Sequence, residues 1–354
     1  MESTVPTVDF SKLQGTLAER SAAVQDIGRI CQNKGFFQLI NHGINTGILR
    51  DALAAAAAFF DLPMEDMAGL VSDDITQPVR YSTFTELDGG EIKIRRHILK
   101  QYSYPLEEWI GKWPEKPWQY RSVPVSSSVR SSSSPATHHS IVERMAKYAA
   151  EVRRVVAEIV EAIAESLGLR RDYLRAQMEQ GFEMMALNFY PPPPPSRDES
   201  FGGGGGTVVC CGEHTDYTLV TVLLASGHGL EELDREAAGS WRPVPHCAGG
   251  SLTVHVGNYL EVLSNGRYRA ALHRVVMERG RGGGGGGGAR VSIASLPSLA
   301  MDARVEVAEE LVDARHPAAY RGSTLAEFIE FLSAGGNGGD FMENLKISGT
   351  EDQQ

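Results

Sequence analysis

The sequence predicts a mainly β protein with helices packed outside it. Three observations lead there. After Gly181 the chain breaks into seven short apolar segments separated by turn residues. A long, regular amphipathic helix comes just before them, and two more helical patterns lie within the first sixty residues. Many short strands with turn chemistry between them build a sandwich or a barrel.

Taken in order, Val5 to Phe10 reads as a strand, and Leu17 to Gln32 carries apolar residues at helical spacing. Gly35 suits a helix stop. Phe36 to Ile40 is a compact strand, and Asn41-His42-Gly43 turns the chain. Thr46 can cap a helix that runs through an alanine block to Phe60, with Leu62-Pro63 ending it. Residues 73–120 look irregular and aromatic-rich, as loops folded over the body of the protein. Ser122 to Pro135 has little to bury and reads as a surface insert. Ile141 to Leu167 carries one apolar stripe (Met145, Tyr148, Val152, Val155, Ile159, Ile163), a packing face. The strands follow at Met184–Tyr190, Val208–Cys211, Thr218–Leu224, Leu252–Val256, Tyr259–Leu263, Ala271–Met277 and Arg290–Leu296. Glycine runs at 202–206 and 282–288 read as loop expansions, and one helix, Thr324 to Leu332, finishes the chain.

Composition narrows the partners. The 354 residues are 42% hydrophobic and 22% charged, with a formal net charge of -11. No basic run tracks phosphates, so neither nucleic acid nor an anionic membrane is an expected partner. No segment suits a membrane span or a signal peptide, and the four cysteines make no CxxC pattern. A cytoplasmic, monomeric protein that takes a small molecule is the expectation.

Three polar pairs at i, i+2 spacing interrupt the apolar strands. On a strand such pairs share a face. His214 and Asp216 supply an imidazole and a carboxylate, two thirds of the two-His-one-carboxylate set that holds Fe(II) and leaves positions open. His273 is the better candidate for the third ligand, with His255 as the competitor. Arg290 and Ser292 suit a carboxylate, a planar fork beside a hydroxyl. Asn188 and Tyr190 form the third pair. Polar groups aimed inward from apolar strands imply a ligand.

These residues carry a resemblance that spans nearly the whole chain. Val5-Pro6-Thr7-Val8-Asp9, Gly35 to Gly43, Phe59-Phe60-Asp61-Leu62-Pro63, Tyr104-Pro105-Leu106, Trp113-Pro114, Asn188 to Pro192, His214-Thr215-Asp216, Leu263 to Tyr268, His273-Arg274-Val275 and Arg290 with Ser292 occur in this order. The chain resembles the Fe(II)/2-oxoglutarate-dependent dioxygenases of the isopenicillin-N-synthase-like family. The resemblance implies a double-stranded β-helix (jelly roll) core, with Fe(II) on His214, Asp216 and His273 and not on His255. It implies that Arg290 and Ser292 take the distal carboxylate of 2-oxoglutarate and that Tyr190 and Asn188 help seat it. The implied reaction uses O2, with ascorbate as a reductant, and hydroxylates (or desaturates) a small organic metabolite while releasing succinate and CO2. Residues 1–121 then form an N-terminal region with substrate-side loops and 122–136 a flexible insert. Residues 137–177 form a support helix, 178–300 the jelly-roll core, and 301–354 a terminal helix and tail.

The chain also departs from the family pattern. Arg95-Arg96-His97 stands where plant members often have Trp-Arg-Asp, Leu296 where flavonoid-type enzymes have Phe, and Gly257-Asn258 where Gly-Asp is usual. The first two changes fall on the expected substrate side, with Tyr102, and weigh against an aromatic flavonoid. Arg95 or Arg96 could greet an anionic substrate, or both could be solvated loop charges. Two other readings are a same-fold Fe(II) oxidase that does not use 2-oxoglutarate and a non-catalytic small-molecule binder.

Overall fold

Alternation along the strand Arg290–Ser298 sets the architecture. Val291 and Ile293 are buried on one side, while Arg290, Ser292, Ala294 and Leu296 line a cavity on the other. The same split holds for the neighbouring strands, so one sheet packs helices on one face and a site on the other. The computed structural model describes residues 5–88, 91–117, 144–193, 207–234, 239–246, 250–278 and 288–347, with no side-chain description for 86–95. The serine-rich tract, the glycine run 202–206, most of 282–288, Trp118, Tyr120, His138, His139 and Cys247 lie outside the described residues.

The strands are β1 (Thr7–Asp9), β2 (Phe36–Ile40), β3 (Val79–Asp88), β4 (Glu91–Tyr104), β5 (Phe182–Tyr190) and β6 (Thr207–His214). They continue with β7 (Val220–Ala225), β8 (Leu230–Asp234), β9 (Ser240–Pro243), β10 (Leu252–Val256), β11 (His273–Glu278) and β12 (Arg290–Ser298). The larger sheet has the order β1-β2-β10-β7-β12-β5-β4-β3 and the smaller β6-β11-β8-β9. Residues from both sheets line one cavity between them, and the expected jelly roll is the observed core. The helices are α1 (Leu17–Asn33), α2 (Thr46–Phe60), α3 (Met64–Met67), α4 (Leu106–Trp109), α5 (Arg144–Ser166), α6 (Arg175–Gln180), α7 (Asn258–Leu263), α8 (Leu325–Ser333) and α9 (Gly338–Leu345). Among the described residues, no helix is long and apolar enough to cross a membrane.

Helices α2 and α5 lie on the outer face of the larger sheet. Val152, Val155, Val156, Ile159 and Ile163 of α5 share one core cluster with Leu187, Val222, Val254 and Ile293 of the sheet. Burial of that many large side chains is the main stabilising term, at about 1.5–3 kcal/mol each. Local signals agree with it. Thr16 and Glu19 close a capping box on α1. Gly35 follows with φ +75, and a Cβ there would meet the Arg269 carbonyl oxygen at 2.4 Å, so a larger residue is excluded twice over.

Several expectations need correction. The cap of α2 is Asn45, whose side chain accepts from the Gly47 N–H, and not Thr46. Val79–Asp88 and Glu91–Tyr104 are not loops but the paired strands β3 and β4, which extend the larger sheet. His97 accordingly sits in a strand, 2.6 Å from the Tyr81 hydroxyl. The segment expected as a strand at Tyr259–Leu263 is helix α7, a short apolar run of a kind that periodicity does not resolve. A second C-terminal helix, α9, follows the expected one; its first two residues are glycines, which hide it. Strands β8 and β9 were not anticipated.

Candidate active site

His214 ends β6 and His273 opens β11, and the register sets them directly opposite each other. Asp216 lies two residues beyond β6, where its carbonyl accepts from the Asn258 N–H at 2.8 Å. The expectation that His214 and Asp216 share a strand holds for His214 only. Their side chains still converge, and the potential ligand atoms of His214, Asp216 and His273 all lie within 4.8 Å of one another. Each imidazole is locked from behind. The Nδ1 of His214 is 2.8 Å from the Gly212 carbonyl, and that of His273 is 3.0 Å from the Ala271 carbonyl. A carbonyl only accepts, so each Nδ1 carries a proton and Nε2 is the atom that would turn to a metal.

Those two Nε2 atoms stand 3.9 Å and 3.8 Å from the two oxygens of Asp216. The gaps are too long for hydrogen bonds. Asp216 Oδ2 is buried without a hydrogen-bond partner among the described residues, a costly state that a cation relieves. Burial, reinforced by His214, holds His273 below its ordinary pKa, in the neutral form a metal needs. Burial works to raise Asp216, but His273, His214 and His255 outweigh it and keep the group a carboxylate. By donor type and geometry the residues fit a divalent metal.

His255 is occupied otherwise. It is buried on β10, its ring stacks on His273 with centroids 4.5 Å apart and planes 9° apart, and its Nε2 is 2.6 Å from the Glu232 carboxylate. Glu232 escaped the sequence reading because Glu231-Glu232 looks like a solvated pair. The signal was the alternation Leu230, Glu232, Asp234, all buried on one side of β8. Glu232, His255 and His273 also fall within 4.8 Å of one another.

The facing sheet supplies the other candidates in cross-strand pairs. Arg290 lies opposite Tyr190, and Ser292 opposite Asn188. Arg290 is 3% exposed, its Nη1 donates to Ser292 Oγ at 3.2 Å, and its guanidinium lies 5.3 Å from the Tyr190 ring centre. Among the described residues its Nε and Nη2 have no hydrogen-bond partner. A buried guanidinium with two free donors is made for a planar anion, so the residues fit a carboxylate of a keto acid. Asn188 Oδ1 accepts from Arg96 Nε at 3.0 Å and Nη2 at 2.6 Å, and Arg96 Nη1 reaches Cys211 Sγ at 3.0 Å.

Asn188, Tyr190, Arg290, Ser292, Arg96, Leu296 and the His214, Asp216, His273 cluster all line one cavity of about 420 Å³, in the range of small-ligand sites. Tyr102, expected on the substrate side, does not line it. Its ring is buried against Trp109 at 5.0 Å and Phe182 at 4.7 Å. Arg95 of β4 pairs with Thr85 of β3, and its side chain lies outside the described residues. A lining residue not singled out from the sequence is Lys100.

Comparison with known proteins decides the family. Residues 5–116 match the N-terminal family described as "non-haem dioxygenase in morphine synthesis", and residues 181–296 match the 2OG-Fe(II) oxygenase superfamily. The chain is 38% identical over 344 residues to 2-oxoglutarate-dependent dioxygenase 21, chloroplastic, of Oryza sativa subsp. japonica, covering 97% of this chain and 91% of that protein. The chain belongs to the 2OG-Fe(II) oxygenase superfamily. It is an oxidoreductase that uses Fe(II), 2-oxoglutarate and O2 on a small metabolite. Flavanone 3-dioxygenase 3 of the same organism is also 38% identical, over 93% of this chain and 88% of its own length. Among solved structures the fold matches the dioxygenase for auxin oxidation of rice (TM-score 0.70, 24% identity, 97% of this chain and 100% of that chain). It also matches JOX2 in complex with 2OG, Fe and JA (TM-score 0.73, 21% identity, 98% of this chain and 90% of that chain).

Proposed function

We propose that His214, Asp216 and His273 are the protein ligands of Fe(II), and that Arg290 with Ser292 holds the distal carboxylate of 2-oxoglutarate. The observation that carries this reading is the pair of buried polar groups, without hydrogen-bond partners among the described residues, that face one cavity: Asp216 Oδ2 just beyond β6 of the smaller sheet, Arg290 Nε and Nη2 on β12 of the larger. Once bound, Fe(II) and 2-oxoglutarate supply with O2 the oxidant for a substrate C–H bond, with succinate and CO2 as co-products. The protein's own part is positional. The Gly212 and Ala271 carbonyls fix both imidazole tautomers, as partners behind the ligands do in other metal sites. Tyr190 packs against the Arg290 guanidinium and keeps it aimed into the cavity. Arg96 fastens Asn188 and cross-braces β4 to β5. The apolar walls Ile98, Met184, Leu223 and Leu296 exclude water beside the substrate.

Adding Fe(II) and 2-oxoglutarate to the oxygen-free protein is expected to produce the visible charge-transfer band of a metal-chelated keto acid. His214→Ala is expected to abolish it. Wild-type protein that binds Fe(II) but shows no band would point to an oxidase that does not use 2-oxoglutarate.

A further inference from the structure

Among the described residues the cavity is lined by one cation, Lys100, that neither the iron nor the cosubstrate reading uses. Arg96, Ile98 and Lys100 alternate along β4 and all face the cavity. Register places Lys100 opposite Ala186, Ala186 opposite Ala294, and Ala294 opposite Leu223. Arg290 and Tyr190 stand four residues further along their strands, a separation of about 13 Å at the usual strand rise. Lys100 and Arg290 therefore occupy opposite corners of one polar-studded panel, two strands apart.

The surroundings of Lys100 are apolar and open. Ile98, Met184, Leu223 and Leu296 form the walls, and the methyl groups of Ala186 and Ala294 leave the floor between Lys100 and the far strands low. Among the described residues the Lys100 side chain makes no hydrogen bond and no ion pair, whereas that of Arg96 is committed to Asn188 and Cys211. Asp216, whose charge favours the ammonium form, belongs to the metal cluster. Burial, then Arg80 and Arg96, push Lys100 down to about 8, so it is largely an ammonium at neutral pH. Filling the cavity with a neutral molecule would strand that charge without water, which is costly.

We propose that Lys100 is the substrate anchor and that the substrate is a compact, mainly apolar carboxylic acid. Its carboxylate pairs with Lys100 Nζ and its body lies over the Ala186–Ala294 floor. This rests on the metal and cosubstrate assignments above, which reserve Arg290 for 2-oxoglutarate. It moves the expected contact with an anion from Arg95 or Arg96 to Lys100.

The test is a panel of arylacetic, cinnamic, cycloalkylacetic and medium-chain alkanoic acids, each matched with its methyl ester and primary amide. Binding to the oxygen-free Fe(II)·2-oxoglutarate protein is read by calorimetry, and the visible band is recorded in the same samples. At least one acid is expected to bind, with its ester and amide ~30-fold or more weaker. Lys100→Met is expected to lose the acid by a similar factor while keeping the affinity for 2-oxoglutarate, and Lys100→Arg to restore part of it. Neutral members binding as tightly as acids, no acid binding, or Lys100→Met binding the acid like wild type would each overturn the proposal. An absent band with Lys100-dependent acid binding intact would count against the cosubstrate reading alone.

Discussion

Ser292 and Ile293 are neighbours in sequence, and both are almost completely buried. Ile293 points outward into the cluster it shares with α5, whereas Ser292 points into the cavity and takes a hydrogen bond from Arg290. The same division runs through Met185 against Asn188, Val222 against Thr221 and Val254 against His255. Met185, Val222 and Val254 are buried by close contact with apolar side chains, whereas Asn188, Thr221 and His255 are buried around a space. The outer face is where the fold gains its stability. The inner face carries polar groups whose partners are incomplete, so it holds function at a cost in stability.

That contrast predicts that activity and stability separate by face. The largest effect belongs to the inner face. Asp216→Ala is expected to reduce Fe(II) retention and succinate formation by more than ~100-fold with a nearly unchanged melting temperature, as measured by metal analysis and calorimetry. Arg290→Met should raise the 2-oxoglutarate KM ~30-fold or more. It should also leave the melting temperature equal or higher, because a buried cation with free donors is removed; a large drop would break the comparison. On the outer face, Ile159→Ala should cost about 2–5 kcal/mol in denaturant unfolding, while the folded fraction keeps its Fe(II) and 2-oxoglutarate affinities.

The smallest effect comes from the outer face's own exception. Glu183 is buried there, 3.5 Å from Arg153 of α5. Burial pushes its carboxyl up from 4.5 to about 7, with Arg153 opposing. The folded protein thus holds this proton more tightly than the unfolded chain. Its contribution is most favourable below 4.5 and is lost as pH rises from 4.5 through about 7. Glu183→Gln is expected to flatten the stability profile over that window, and an unchanged slope would show that Arg153 keeps the group ionised throughout.

The two faces were not equally legible in the sequence. The outer face follows from apolar periodicity, and the α5 stripe and the central strands were readable because apolar residues recur at the right interval. The inner face defeats the same rule. Arg96 and Lys100 break the apolar pattern of β4, which falls in a stretch that reads as irregular and aromatic-rich, and Glu232 and Asp234 break that of β8. Glu232 is buried against His255, and Asp234 against Lys34 and Arg242. His214, Asp216, His273, Arg290 and Ser292 could still be picked out because polar pairs at strand spacing stand out from apolar neighbours. Tyr102 could not be placed, since nothing local distinguishes a ring packed on Trp109 from one beside a ligand. His255 could be set aside as a ligand only by resemblance, and its pairing with Glu232 emerged only with the two sheets face to face, β8 on one and β10 on the other.

The register of β4, β5 and β12 also sets the step size of any change in this cavity. A side chain moved one place along β4 leaves the cavity for the opposite face. Moved two places it stays inside but travels about 7 Å, several carbon–carbon bonds. The pleat thus acts as a coarse ruler for which substrate carbon meets the metal, and exchanges at Ala186 or Ala294 are the fine adjustment, altering depth while the ruler's marks stay fixed.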